Sequence, residues 1–180
     1  MSSVLVISTS LRAGSNSDIL TKRLIAGARD AGHKVEQISL KGKDLNFCIG
    51  CLACQKTQQC VLKDDAVWIA EKVKNADTLV FATPIYYYEM SGQMKTLLDR
   101  MNPLYSSDYQ FRRVYLLSTA TEEEESVPEK AVSGLMGWVD CFEKAEFAGS
   151  LFCGGISDPG EASGKRAEQA EAYEFGKRLR

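Results

Sequence analysis

Histidine is nearly absent from this chain: His33 is the only one in 180 residues. It falls in the turn Ala31-Gly32-His33-Lys34, where it is expected to be solvated, at the edge of the sheet away from any site. Schemes that need histidine as a nucleophile's base or as a general acid are therefore hard to assemble. Long apolar runs are missing too. No stretch approaches the roughly 18 apolar residues of a membrane span, and residues 1–20 lack the charged-then-apolar pattern of an export signal. A cytoplasmic protein with no membrane partner is expected. There is no basic cluster either, because 22 basic and 24 acidic residues are spread to a net charge of -2, which speaks against nucleic acid. With only four prolines, no internal repeat and no low-complexity tract, nothing divides the chain, and a single domain over residues 1–180 is expected.

What is present is an alternation. Short β-branched or apolar runs at Val4–Ile7, Val35–Ile38, Leu79–Ala82, Val114–Leu117 and Phe147–Phe152 read as strands. Between them the spacing i, i+3, i+4, i+7 recurs, as at Ala66, Ile69, Ala70, Val73 and at Met94, Leu97, Leu98, Met101. Further stripes lie at Leu20, Leu24, Ile25, Ala28, at Val132, Leu135, Met136, Val139 and at Ala172, Phe175, Gly176, Leu179. Gly32 closes the first helix, and Ser126 with Glu129 fits a capping box. Strands alternating with helices imply a doubly wound α/β domain, with a five-stranded parallel sheet and helices on both faces. Such sheets bind ligands beyond the carboxyl ends of the strands, where the winding reverses between strands one and three.

Two polar loops lie at that edge. The first, Ser8 to Ser17, reads as a phosphate cradle: Thr9, Ser10, Ser15 and Ser17 offer hydroxyls, Asn16 an amide and Arg12 a guanidinium, and the helix that follows adds its free N–H groups. An ordinary strand-to-helix turn capped by Asn16 or Ser17 is the plainer alternative. The second loop, Thr83-Pro84-Ile85-Tyr86-Tyr87-Tyr88-Glu89-Met90-Ser91-Gly92, offers aromatic faces and backbone amides to a flat heteroaromatic ring. Its tyrosines could equally cover the edge of the core.

Six cysteines in a reducing compartment are not expected to form structural disulfides, and four of them fall within residues 48–60. Cys48, Cys51, Cys54 and Cys60 are spaced C-x2-C-x2-C-x5-C, and the first three repeat the gaps of bacterial ferredoxins. Zinc is less natural at this spacing. The alternatives are an iron–sulfur group or buried or redox-active thiols. Cys141, Cys153, Trp68 and Trp138 are expected to pack, and the acidic run Glu122–Glu125 to be a solvated loop.

These segments resemble a known family. Thr9 to Ser17 is similar to the G-S-P-R-x-x-G-N-T phosphate loop of the NADPH-dependent FMN reductases and iron–sulfur flavoproteins. Thr83-Pro84-Ile85-Tyr86 with Met90-Ser91-Gly92-Gln93-Met94-Lys95 resembles their second flavin loop, and the cysteine segment, with Lys63-Asp64-Asp65 after it, resembles theirs. The resemblance covers essentially the whole chain and implies a flavodoxin-like sheet of order 2-1-3-4-5. It implies that Ser10, Arg12, Ser15, Asn16 and Ser17 hold the FMN phosphate and that Pro84, Ile85, Tyr86, Tyr87 and Tyr88 line the isoalloxazine. Thr119, Ala120 and Thr121 would make a third contact, and Cys48, Cys51, Cys54 and Cys60 would carry a [4Fe-4S] cluster if one is held. Thr9, Leu11 and Ser15 depart from the family's Gly, Pro and Gly.

The function implied is transfer of reducing equivalents from NAD(P)H through bound FMN to a small acceptor such as a flavin or quinone. The chemistry is carried by FMN, and no side chain is assigned a catalytic role. The rival is an iron–sulfur flavoprotein that exchanges electrons with a ferredoxin-like protein. Relatives of this kind imply a homodimer or homotetramer.

Overall fold

The computed structural model describes residues 2–180. Six strands, β1 (Ser3–Ser8), β2 (Lys34–Ser39), β3 (Thr78–Tyr86), β4 (Glu89–Met90), β5 (Arg113–Thr119) and β6 (Glu146–Cys153), alternate with helices α1 (Asn16–Asp30), α2 (Ala53–Thr57), α3 (Asp65–Asn75), α4 (Gly92–Arg100), α5 (Glu129–Val139) and α6 (Arg166–Lys177). Two 3₁₀ turns, Asn102–Leu104 and Glu161–Ser163, complete the order. The long strands form one parallel sheet in the order β2-β1-β3-β5-β6, and β4 pairs antiparallel with β3 alone. Counting the long strands only, this is the expected 2-1-3-4-5. None of the described helices is long and apolar enough to cross a membrane.

Both faces of the sheet are covered because its central strands carry unbroken apolar runs, Val4–Ile7, Leu79–Ala82 and Val114–Leu117. Successive side chains point to opposite faces, so Leu5, Ile7, Leu79, Phe81, Val114 and Leu116 enter one core with Ile69 and Val73 of α3, Leu97 of α4 and Leu135 of α5. Val4, Val6, Val80, Ala82 and Leu117 enter the other, with Leu20 and Leu24 of α1 and Ala172 of α6. Helices α1 and α6 touch backbone to backbone through glycine. A Cβ on Gly27 would lie 1.9 Å from the Tyr173 carbonyl oxygen, and one on Gly176 2.0 Å from that of Leu24.

The sheet register brings the ligand-facing ends together. Ser8 pairs with Ala82, Pro84 with Thr119, and Thr119 with Cys153, so the loops after β1, β3, β5 and β6 leave from one edge.

Several expectations are corrected. The segment after Ala82 is not a loop, since β3 runs on to Tyr86 and turns back into β4. Ser126 caps nothing with its side chain: α5 begins after Pro128, and only the Ser126 carbonyl is used, by the N–H of Glu129. His33 is half-buried rather than solvated. Its Nδ1 lies 2.7 Å from Ser2 Oγ and its Nε2 3.1 Å from the Leu179 carbonyl, a tie between the two ends of the chain. Cys141 is exposed, whereas Cys153 is buried as expected. Burial, with Glu171 and Glu168 adding to it, pushes the Cys153 thiol up to about 12. Trp138 packs among Phe81, Phe111 and Phe142, but Trp68 is partly exposed and donates from Nε1 to Asp65 Oδ1 at 2.6 Å.

Candidate functional site

The loops at the carboxyl edge enclose a crevice of about 70 Å³. Its first wall is Ser10, Arg12, Ser15, Asn16 and Ser17; its second is Pro84, Ile85 and Tyr86; its third is Thr119, Ala120 and Thr121. The three expected segments therefore meet, except for Tyr87 and Tyr88. The crevice sits at the start of α1, where unpaired backbone N–H groups and the positive end of the helix favour an anion. Ser15 is the N-cap, its Oγ accepting from the Asp18 N–H at 3.3 Å, and the Ser15 and Ser17 hydroxyls lie 2.9 Å apart.

A fourth wall was not anticipated. Ile156 and Ser157, from the loop after β6, complete the crevice and fasten the first loop. Arg12 Nη1 donates to the Ser157 carbonyl at 2.6 Å, Asn16 Nδ2 to that of Asp158 at 2.9 Å, and the Gly160 N–H to that of Gly14 at 2.8 Å. Asn16 Oδ1 also accepts from the Ala162 N–H at 3.1 Å. Both ends of the Asn16 amide thus bond to protein, which fixes its plane in the wall, and one of its two N–H donors is used by Asp158. Glu161 braces the same loop, accepting from the Ser157 and Asp158 N–H groups, and these bonds hold its carboxyl below the usual range. The available signal was topological, since the loop after the last parallel strand must emerge at the same edge.

Thr9 explains one departure from the family pattern. Its hydroxyl donates to the Ala82 carbonyl at 3.0 Å and lies 3.0 Å from Ser91 Oγ, while the Ser91 N–H donates to Thr83 Oγ1 at 3.0 Å. A side chain where glycine is usual ties the first loop to the second.

Tyr87 and Tyr88 form the two-residue turn between β3 and β4, with φ of 52° and 64°. Positive φ at both central residues belongs to a hairpin turn that favours Asn-Gly, and a side chain there costs about 1–2 kcal/mol per residue. Tyr87 is fully exposed, and Tyr88 is half-exposed with Lys130 Nζ 5.7 Å from its ring centroid. Neither lines the crevice, because the turn carries both rings beyond it. Replacing Tyr87→Asn together with Tyr88→Gly is expected to stabilise the fold by about 1–2 kcal/mol. A thermal melt that fails to rise would show that these rings are held by contacts worth as much as the strain.

The cysteine segment lies between β2 and α3. Cys48 and Cys51 are exposed, Cys54 is buried and Cys60 half-buried. Helix α2, absent from the sequence reading, sits inside it and is fastened to the turn after α4: Gln58 Nε2 donates to the Ser106 carbonyl at 2.9 Å, and Ser106 Oγ to that of Gln55 at 3.0 Å. Asn102 Nδ2 donates to Cys54 Sγ at 3.3 Å and Arg100 Nη2 to Cys60 Sγ at 3.4 Å. Burial pushes the Cys54 thiol up, the Asn102 bond partly offsets this, and Cys60 and Cys48 add to the rise, so all three thiols are within electrostatic reach. Among the described residues, no three His, Cys, Asp or Glu side chains are gathered closely enough to hold a metal ion.

The sequence pattern of the NADPH-dependent FMN reductases matches residues 2–145. The chain belongs to the NADPH-dependent FMN reductase family. An iron–sulfur flavoprotein of Methanocaldococcus jannaschii is 38% identical over 101 residues, 56% of this chain and 52% of that protein. One from Methanosarcina thermophila is 25% identical over 152 residues, 84% of this chain and 80% of that protein. The chain matches about half or less of the length of the more identical of these relatives. An NAD(P)H:quinone oxidoreductase from Methanothermobacter marburgensis has the same fold, with a TM-score of 0.73 over 99% of both chains at 18% identity.

For this FMN reductase family member, the crevice offers hydroxyls, one guanidinium and a helix N-terminus to an anion, with apolar Pro84, Ile85 and Ile156 beside them.

Proposed function

We propose that the protein is an FMN-dependent oxidoreductase that passes reducing equivalents from NAD(P)H to a small acceptor, a flavin or a quinone. One observation carries the reading: the donors of Ser10, Arg12, Ser15 and Ser17 and the start of α1 meet the Pro84–Tyr86 and Thr119–Thr121 segments in a single crevice. At about 70 Å³ the enclosed part suits a phosphate, whereas whole-ligand pockets run to roughly 300–1,000 Å³. The ring would therefore lie along the open side, against Pro84, Ile85 and Tyr86, with one face left free for reductant and acceptor in turn. FMN, when bound, supplies the hydride and electron chemistry. The chain's part is to hold the phosphate, orient the ring through a hairpin stiffened by Pro84, and keep water from one side.

Adding FMN to the flavin-free protein is expected to quench flavin fluorescence to a stoichiometric end point, after which NADPH or NADH reduces the bound flavin and an added quinone reoxidises it. Absence of FMN uptake overturns the proposal. The Tyr87→Asn, Tyr88→Gly variant extends the test, since unchanged FMN affinity removes those two rings from the flavin site.

The second reading, an iron–sulfur flavoprotein that hands electrons to a ferredoxin-like partner, is favoured by the relatives' names and by the cysteine segment. Four free thiols, two of them receiving N–H donors, have the chemistry of cluster ligands, but among the described residues no three of them are gathered closely enough to hold a metal ion. Cys48, Cys51, Cys54 and Cys60 would be its ligands, which requires the exposed half of the segment to draw inward. Stoichiometric iron and sulfide after anaerobic purification, without NADPH or NADH oxidation, would favour this carrier.

A further inference from the structure

Resting on the FMN reading of the crevice, we infer that Glu161 is a positioning residue for the flavin phosphate. Its carboxylate orients the Ser157-Asp158 turn, and that turn sets Arg12 and Asn16 for a phosphorylated ligand.

Glu161 is exposed and does not line the crevice. Its Oε2 nevertheless accepts from two successive backbone N–H groups, that of Ser157 at 2.8 Å and that of Asp158 at 3.0 Å, and its own N–H donates back to the Asp158 carbonyl at 3.2 Å. The trans peptide unit between Ser157 and Asp158 carries its N–H and its C=O on opposite sides. With the Asp158 N–H held by Glu161, the Ser157 carbonyl is turned the other way, where Arg12 Nη1 meets it at 2.6 Å. The next peptide unit leads into Pro159 and has no N–H. Its orientation therefore rests on the Asp158 carbonyl, which takes the Glu161 N–H and also Asn16 Nδ2 at 2.9 Å. Glu161 thus bonds to both peptide units whose carbonyls hold the two cradle side chains. Asn16 retains a second N–H and Arg12 the rest of its guanidinium, and both residues line the crevice.

A carboxylate is otherwise a poor neighbour for a phosphate, because like charges repel. The charge of Glu161 alone would weaken FMN binding, whereas its hydrogen bonds strengthen it, so the two effects have opposite signs in a variant. Glu161→Ala removes both charge and acceptor. Glu161→Gln removes the charge but keeps a carbonyl oxygen with two lone pairs for the same N–H groups. FMN and riboflavin are titrated into the flavin-free wild type and both variants by fluorescence quenching, with a thermal melt of each protein. Glu161→Ala is expected to bind FMN about tenfold more weakly, the scale of one lost hydrogen bond to a charged group, and riboflavin no more than about threefold more weakly. Riboflavin still meets the Ile156 and Ser157 wall but has no phosphate for Arg12 and Asn16. Glu161→Gln is expected to retain wild-type affinity for FMN. Unchanged or tighter FMN binding by Glu161→Ala overturns the inference and leaves the FMN reading intact. So does an equal loss for both flavins, which would make Glu161 a support for the wall only, or an equal loss of FMN affinity in Glu161→Gln. A Glu161→Ala protein that does not fold assigns the residue to the fold itself and also overturns the inference. Wild type that takes up no FMN overturns the FMN reading and the inference together.

Discussion

Arg100→Met is expected to cost roughly 3–5 kcal/mol of stability, the range for removing one partner of a buried ion pair. The side chains of Arg100 and Asp64 are 0% and 1% exposed, so methionine would leave a carboxylate in the interior facing little more than the N–H groups of Asn46 and Ala66. Burial by itself would raise the Asp64 pKa. The Arg100 hydrogen bonds and charge, together with the Asn46 bonds, outweigh it and hold the carboxyl far below the usual range. Because the folded pKa is depressed, this contribution is fully present above the unfolded aspartate value of about 3.9 and is lost only as pH falls through the lower folded value. Urea unfolding at neutral pH measures the loss, and Asp64→Asn combined with Arg100→Met should cost much less than Arg100→Met alone. A loss below about 1 kcal/mol, the scale of an exposed pair, would contradict the role. The other side-chain ion pairs, such as Lys72–Glu36 and Lys144–Asp108, are about half-exposed or more and are expected to contribute at that smaller scale.

Arg12→Met is expected to weaken FMN binding between about 10- and 50-fold. A hydrogen bond to a charged group is worth roughly 1.5–3 kcal/mol, and each 1.4 kcal/mol is tenfold in affinity; the exposure of Arg12 places the effect toward the lower end. Riboflavin, which has the same ring and no phosphate, separates the two halves of the site. Its affinity should be nearly unchanged by Arg12→Met. An equal loss for both flavins would mean that Arg12 acts by fastening the Ser157 loop rather than by meeting the phosphate. Flavin fluorescence titrations of both ligands decide between these.

Much of this site was legible without coordinates because its signals are local. A polar loop rich in hydroxyls between an apolar strand and a helix stripe can be recognised from Ser8 to Leu24 alone, and Thr83 to Gly92 likewise announces an aromatic segment after the third strand. What escaped was each feature that depends on a distant partner. Ile156 and Ser157 carry no motif and enter the crevice because β6 ends beside β5. That the Asn16 amide is held between Asp158 and Ala162 is equally invisible in the sequence around it. That Tyr87 and Tyr88 make a positive-φ turn outside the enclosed crevice likewise shows only in the backbone.

The amino-acid sequence by itself determined the alternation of strand and helix, the doubly wound sheet and the edge at which its polar loops gather. Periodicity and turn chemistry act over a few residues, and the right-handed crossover leaves few ways to connect parallel strands. Only the tertiary structure showed which donors also fasten one loop to another, and it alone placed Arg100 between Asp64 and Cys60. Hydrogen bonds and buried charges are settled between residues far apart in the chain, where a helix stripe shows that Arg100 lies on α4 but not what its guanidinium meets.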